Sequence, residues 1–152
     1  LHVAVNVVAI IGLGRLLEPW IGFRRLVGWF CAGGLVASSA SHMMGVAASD
    51  GASGGAFALL GALVWIGFDS TIDFDDEARW LLSVPIRWLA VLNLCLPVVL
   101  TFLDGVGHLA GFVTGFALVG CARRLPALGA LLDLCATAVV VLSLSWALVQ
   151  AL

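Results

Sequence analysis

The chain reads as an all-α membrane protein that crosses the bilayer several times. Three observations predict this. Hydrophobic residues fill 62% of the 152 positions and charged residues only 11%, against roughly a quarter charged in a soluble domain. Mean hydropathy is +1.16. The few charges fall in clusters that separate long apolar segments, and a spanning helix needs roughly 17 to 25 such residues. These segments must be helices, because lipid offers no partner for free backbone groups. They are also uniformly apolar, whereas barrel strands alternate.

Taken in order, the first segment runs from Leu1 to about Leu17, interrupted by His2, Asn6 and Arg15, and a short connection carries Arg24 and Arg25. Residues 26–49 and 51–68 contain no arginine or acid. Residues 69–87 form the one long polar stretch, with Asp73, Asp75, Asp76, Glu77 and Arg79. A charge run of this kind is usually a solvated loop. Within it, Trp80-Leu81-Leu82 is suited to the membrane interface. Residues 88–103 and 105–122 are apolar again, Arg123 and Arg124 close the latter, and residues 125–152 carry only Asp133. The expectation is six membrane helices. Trp20, Trp29, Trp65, Trp80 and Trp88 lie near the expected span ends, where an aromatic belt forms. Trp146 lies deeper.

The seven basic residues are all arginine. When the spans alternate in direction, every arginine falls on one side, which the positive-inside rule makes cytoplasmic. His42, Asp50 and Asp104 fall on the other. There His42 reads as an exposed loop residue. No zinc-finger spacing, basic stripe or RNA-binding signature is present, so nucleic acid is not an expected partner. Cys31, Cys95, Cys121 and Cys135 each lie within an apolar stretch, far apart in sequence. That spacing suits neither a disulfide framework nor a zinc site, and they read as small buried thiols.

Polar residues inside the spans are the candidates for function. His2 and Asn6 stand i, i+4 and share a helix face. The Asn serves either an interhelical hydrogen bond or a site. Ser53 opens the third span, where free N–H groups and the positive dipole end favour developing negative charge. Gly51 and Gly54 beside it permit a sharp turn and close backbone approach; the bland alternative is that Ser53 is an N-cap. Phe57 follows one turn deeper, placed either to pack on an imidazole or to fill core. His108, Gly111 and Gly115 form one stripe in the fifth span. Gly111 to Gly115 is a small-residue pattern that lets membrane helices touch closely. Together these supply a base, a nucleophile and an amide donor.

In these residues the chain resembles the rhomboid family of intramembrane serine proteases. His2-Val3-Ala4-Val5-Asn6 fits the family's HxxxN. Gly14, Glu18, Gly22 and Arg25 fit GxxxExxxGxxR. Gly51-Ala52-Ser53-Gly54 fits GxSG, with Phe57 four residues on. His108, Gly111 and Gly115 fit AHxxGxxxG, with Gly107 in place of Ala. The resemblance covers roughly residues 1–122.

The resemblance implies a rhomboid-like helical bundle and a Ser-His dyad that hydrolyses transmembrane segments. Ser53 is then the nucleophile and His108 the general base. The oxyanion is held by the Ser53 N–H, Asn6 and His2, and the glycines and Phe57 give support. Asp104, one turn before His108, is not needed in a dyad. Inactive relatives lack the Ser or the His, or carry Pro before the Ser; here residue 52 is Ala. Neither a metal nor an organic cofactor is implied. Partners are the bilayer and transmembrane protein substrates.

The expected location is the plasma or inner membrane, with the site on the extracytoplasmic side. The family's first core helix and its Trp-Arg loop have no counterpart, so the chain is expected to be part of a longer protein. Residues 1–124 are then the core without its first helix, and 125–152 an additional helix. The rival readings are an inactive rhomboid-like protein that binds transmembrane clients and, more distantly, a transporter using Asp133. For Asp133 the bland reading, pairing with an arginine or water near the cytoplasmic end, is favoured.

Overall fold

The computed structural model describes residues 2–46, 51–100 and 103–151. Among them are seven helices: α1 (His2–Ile21), α2 (Phe23–Met43), α3 (Gly51–Phe68), α4 (Asp76–Ser83), α5 (Pro85–Val99), α6 (Gly105–Arg124) and α7 (Pro126–Ala151). Six of them match the six expected spans. Among the described residues, Val3–Ile21, Asp76–Val99 and Gly105–Arg124 are long and apolar enough to cross a membrane. Ala52–Phe68 is apolar but shorter.

Helix α3 is the axis of the bundle. Leu59, Ala62, Leu63 and Ile66 are almost wholly buried, and α1, α2, α5 and α6 all pack against it. Glycines set how closely they do so. A Cβ on Gly33 of α2 would collide with Ala58, and one on Gly54 of α3 with Ala37. On the opposite side, a Cβ on Gly111 would strike the Gly54 carbonyl, and one on Gly115 the Ala58 carbonyl. Here backbones approach in the way small residues allow between membrane helices.

Two joints need glycine. Gly22 links α1 to α2 at φ 78°, ψ 156°, a region that side-chain-bearing residues rarely adopt. Gly45 closes α2 at φ 75°, and the Val46 N–H bonds back to the Ser41 carbonyl at 2.9 Å. Gly45 follows the end of α2 as glycine commonly does at helix C-termini, whereas Gly22 is the N-cap of α2.

The polar stretch after α3 is more than a solvated loop. Asp75 caps α4 by accepting from the Ala78 N–H at 2.7 Å. Phe74 and Leu82 are buried in the main core, and the Leu82 backbone crowds Gly67. Asp73, Asp75, Asp76 and Glu77 thus stay exposed while the apolar residues among them fold inward. Pro85 begins α5 at its first position, where the missing N–H is harmless.

The tryptophans divide. Trp80 and Trp88 are 62% and 68% exposed, as a belt residue should be, but Trp29 is 1% exposed and sits in the core. Trp20 meets Phe74 edge to face at 4.9 Å. His42 lies in the last turn of α2 rather than in a loop, and it is exposed. Cys95 and Cys135 are exposed, not buried, whereas Cys31 and Cys121 are half-buried. Asp50 lies outside the described residues, and of the Trp146 side chain nothing is described.

One end of the bundle collects ion pairs. Arg25 Nε donates to Asp133 Oδ2 at 2.8 Å, tying α2 to α7. Arg123 donates to Asp69 at 3.0 Å, tying α6 to the turn after α3. Arg87 donates to the Gly67 carbonyl at 2.9 Å and lies 3.9 Å over the Phe68 ring. The expected pairing of Asp133 with an arginine is therefore present.

Candidate active site

The opposite end brings together Asn6, Ser53 and His108 around Phe57. Ser53 is in the first turn of α3 and half-buried. His108 is in the first turn of α6 and 9% exposed. Phe57, one turn below Ser53, stacks on the His108 ring with centroids 4.1 Å apart and planes 14° from parallel. Of the two readings open for Phe57, packing on the imidazole is the one realised. Gly54, next to Ser53, meets Gly111, one turn below His108. The first turns of α3 and α6 are thus locked side by side.

Ser53 and Phe57 also line a cavity of about 650 Å³ together with Asn6, which projects from α1. The far wall is α5, through Ile86, Leu89 and Asn93. Helices α1 and α5 do not pack on each other. Their rims carry the exposed apolar residues Val5, Val8 and Leu89. The cavity therefore lies between two helices that leave apolar residues exposed beside it.

His2 is the first residue of α1, and its side chain lies outside the described residues. Gly51 is the first residue of α3.

Two residues near the site carry more structure than the sequence reading gave them. Asp104 is the N-cap of α6: its Oδ1 accepts from the Gly107 N–H at 2.8 Å, and its carbonyl accepts from the His108 N–H at 3.0 Å. Its Oδ2 accepts from Ser41 Oγ at 2.6 Å. Ser41 is fully buried in α2. The serines at positions 38, 39 and 41 in an otherwise apolar segment were the signal for it. Asn93 was also missed, although an amide within an apolar span is the same signal that drew attention to Asn6.

Among the described residues, no cluster of three or more His, Cys, Asp or Glu could hold a metal ion.

Comparison with known proteins places the chain in a family. A family model described as "Rhomboid domain" matches residues 1–125. The chain is 30% identical over 129 residues to "Rhomboid protease GluP" of Bacillus subtilis, covering 85% of this chain and 24% of that protein. It is 31% identical over 121 residues to "RHOMBOID-like protein 5" of Arabidopsis thaliana, covering 78% of this chain and 38% of that one. "RHOMBOID-like protein 1" of the same plant is 32% identical over 122 residues, 77% of this chain and 30% of the relative. The chain thus spans well under half the length of these relatives. No solved structure matches at a comparable level of significance. A helical bundle, apolar helices and a family match across most of the chain agree, and the protein is an integral multi-pass membrane protein that belongs to the rhomboid family.

Proposed function

We propose that this chain forms the catalytic body of an intramembrane serine endopeptidase, with Ser53 as nucleophile and His108 as general base. The observation that carries this reading is the placement of Ser53. It lines a cavity that opens between α1 and α5, shared with Asn6, while Phe57 behind it braces the buried His108 ring. A transmembrane segment can approach from the lipid side and present a peptide bond to Ser53.

In the proposed reaction, neutral His108 takes the Ser53 Oγ proton as the oxygen attacks the scissile carbonyl. The tetrahedral oxyanion is met by the Ser53 N–H at the positive end of α3, by the Asn6 amide and by the His2 ring. Protonated His108 then gives its proton to the leaving amine, and an acyl-enzyme on Ser53 remains. Water, activated by His108, hydrolyses that ester and regenerates both groups. The arginine-bearing end faces the cytoplasm in this reading, and the site faces away from it. Residues 1–124 form the body of the enzyme, and 125–152 an additional helix bound to it through Arg25 and Asp133.

The test is labelling of the full-length protein in lipid with a fluorophosphonate probe, together with cleavage of a single-span reporter. Wild-type protein should be labelled at Ser53 and should cleave; Ser53→Ala should do neither. Asn6→Ala should keep the fold and lose roughly 100- to 1000-fold in turnover, as expected for an oxyanion donor. Cleavage by Ser53→Ala sinks the assignment. Binding of transmembrane segments without labelling would instead identify a non-catalytic client-binding protein.

A further inference from the structure

The cavity between α1 and α5 holds one polar side chain that the proposed reaction does not use. Its lining is apolar apart from Asn6, Ser53 and Asn93. Asn6 and Ser53 stand on α1 and α3, whereas Asn93 stands on α5, the facing wall. Its Nδ2 donates to the Leu89 carbonyl one turn back, at 2.8 Å. That bond fixes the amide against the helix and leaves the Oδ1 and the second N–H available. An amide on the wall of an apolar membrane cavity is costly unless it has work to do.

The chemistry of the occupant says what that work is. A helical transmembrane segment satisfies its own backbone groups. A segment with a bond exposed to Ser53 has to be unwound there, and its freed N–H and C=O groups then lie in an apolar space. With one N–H on the Leu89 carbonyl, the Asn93 amide still offers one donor and its oxygen as acceptor, the complement of a peptide unit. Asn93 is the side chain on the α5 wall able to meet both.

We infer that Asn93 is a specificity-determining residue that binds the backbone of an unwound transmembrane segment entering between α1 and α5. The inference rests on the protease reading above. It favours segments whose helix opens beside the cut, and it acts on substrate capture rather than on the Ser53 oxygen.

The experiment uses the full-length protein in lipid vesicles. The probes are a fluorophosphonate and two single-span reporters that differ only in a Gly-Pro pair placed beside the cut. Asn93→Leu matches the side chain in size and removes the amide. It should be labelled at Ser53 within about twofold of wild type, while KM for the Gly-Pro reporter rises about tenfold and kcat changes little. The preference for the Gly-Pro reporter should shrink by a similar factor, and Asn93→Gln should restore most of it. Asn93→Ala serves the same purpose where the Leu variant does not insert. Unchanged KM and preference in labelled Asn93→Leu overturn this inference alone. A fall of labelling and cleavage together in both variants also overturns it, because the amide is then structural. Wild-type protein that is neither labelled nor cleaving removes the protease reading, and this inference with it.

Discussion

The rings of Phe57 and His108 lie nearly parallel, 4.1 Å apart, so an aromatic one turn below Ser53 fixes the plane of the proposed base. Stacking restrains rotation of the imidazole about its own bonds, and the Gly54–Gly111 contact restrains the helix that carries it. Phe57→Ala removes the first restraint and leaves the second. We expect a loss of ~10- to 100-fold in fluorophosphonate labelling rate, the scale of a small misplacement of a catalytic group. Phe57→Tyr should restore it. Equal labelling of wild type and Phe57→Ala would show that the stack has no part in placing His108.

Glycine substitutions give a second test, because the structure separates tight positions from open ones. A Cβ on Gly115 runs into the Ala58 carbonyl, a backbone atom that cannot swing aside, whereas one on Gly12 meets nothing within 4 Å. Gly115→Ala should therefore destabilise the protein by ~1 to 3 kcal/mol, the usual cost of overpacking. Gly12→Ala should be neutral or slightly stabilising, since alanine favours the helix. Thermal unfolding in one detergent decides it, and similar midpoints for the two variants would contradict the close packing of α3 on α6.

These contacts also show what was legible in the sequence. The His108, Gly111 and Gly115 stripe predicted a close helix pair, and α3 is the neighbour it meets. Charge clusters marked the spans, because a charge is costly in lipid wherever it falls. The polar stretch was harder. Phe74 and Leu82 stand among acids, and only the packed bundle shows that they turn inward beneath Gly67 while Asp75 caps α4. Trp29 misleads for a similar reason. Position along a span says how deep a residue lies, but not whether it faces lipid or another helix. Asn93 is legible as an amide in an apolar span, as Asn6 is, but that both line one cavity depends on helices distant in sequence.

The arginine-rich end offers a pH test. Thr71 Oγ1 donates to Asp69 Oδ1 at 2.6 Å and holds the carboxyl below its ordinary value. Partial burial works against this, while the Thr71 N–H and Arg123 add to the lowering. A carboxyl whose folded pKa is depressed contributes stability that is complete above its unfolded value, here 3.8. That contribution is lost as pH falls through the folded value. Acidification below that range should release Arg123 and loosen α6 from the turn after α3. Thr71→Val should move the carboxyl titration upward, and Asp69→Asn should flatten the acid limb of the stability profile. A carboxyl signal titrating at its ordinary position in the wild type would remove the basis for both.

Asp104 joins α2 to the start of α6, and its two carboxylate oxygens do different things. One caps the Gly107 N–H and the other accepts from Ser41, which is wholly buried. Asp104→Ala removes the cap, typically ~0.5 to 2 kcal/mol. It also strands a buried hydroxyl, which costs ~1 to 3 kcal/mol more. Asp104→Asn still caps well through its Oδ1, and its Nδ2 can donate to the Ser41 Oγ in place of the lost acceptor, so it should lose much less. Ser41→Ala removes only the bond between helices and should fall between them. Because the Asp104 carbonyl receives the His108 N–H, displacement of this cap shifts the turn that carries the imidazole. Labelling at Ser53 should therefore fall in the same order as the unfolding midpoint: Asp104→Ala lowest, then Ser41→Ala, then Asp104→Asn. A double-mutant cycle between Ser41 and Asp104 isolates their shared bond. A coupling energy near zero, or labelling that does not follow this order, would mean that the α2–α6 bond does not help to position His108.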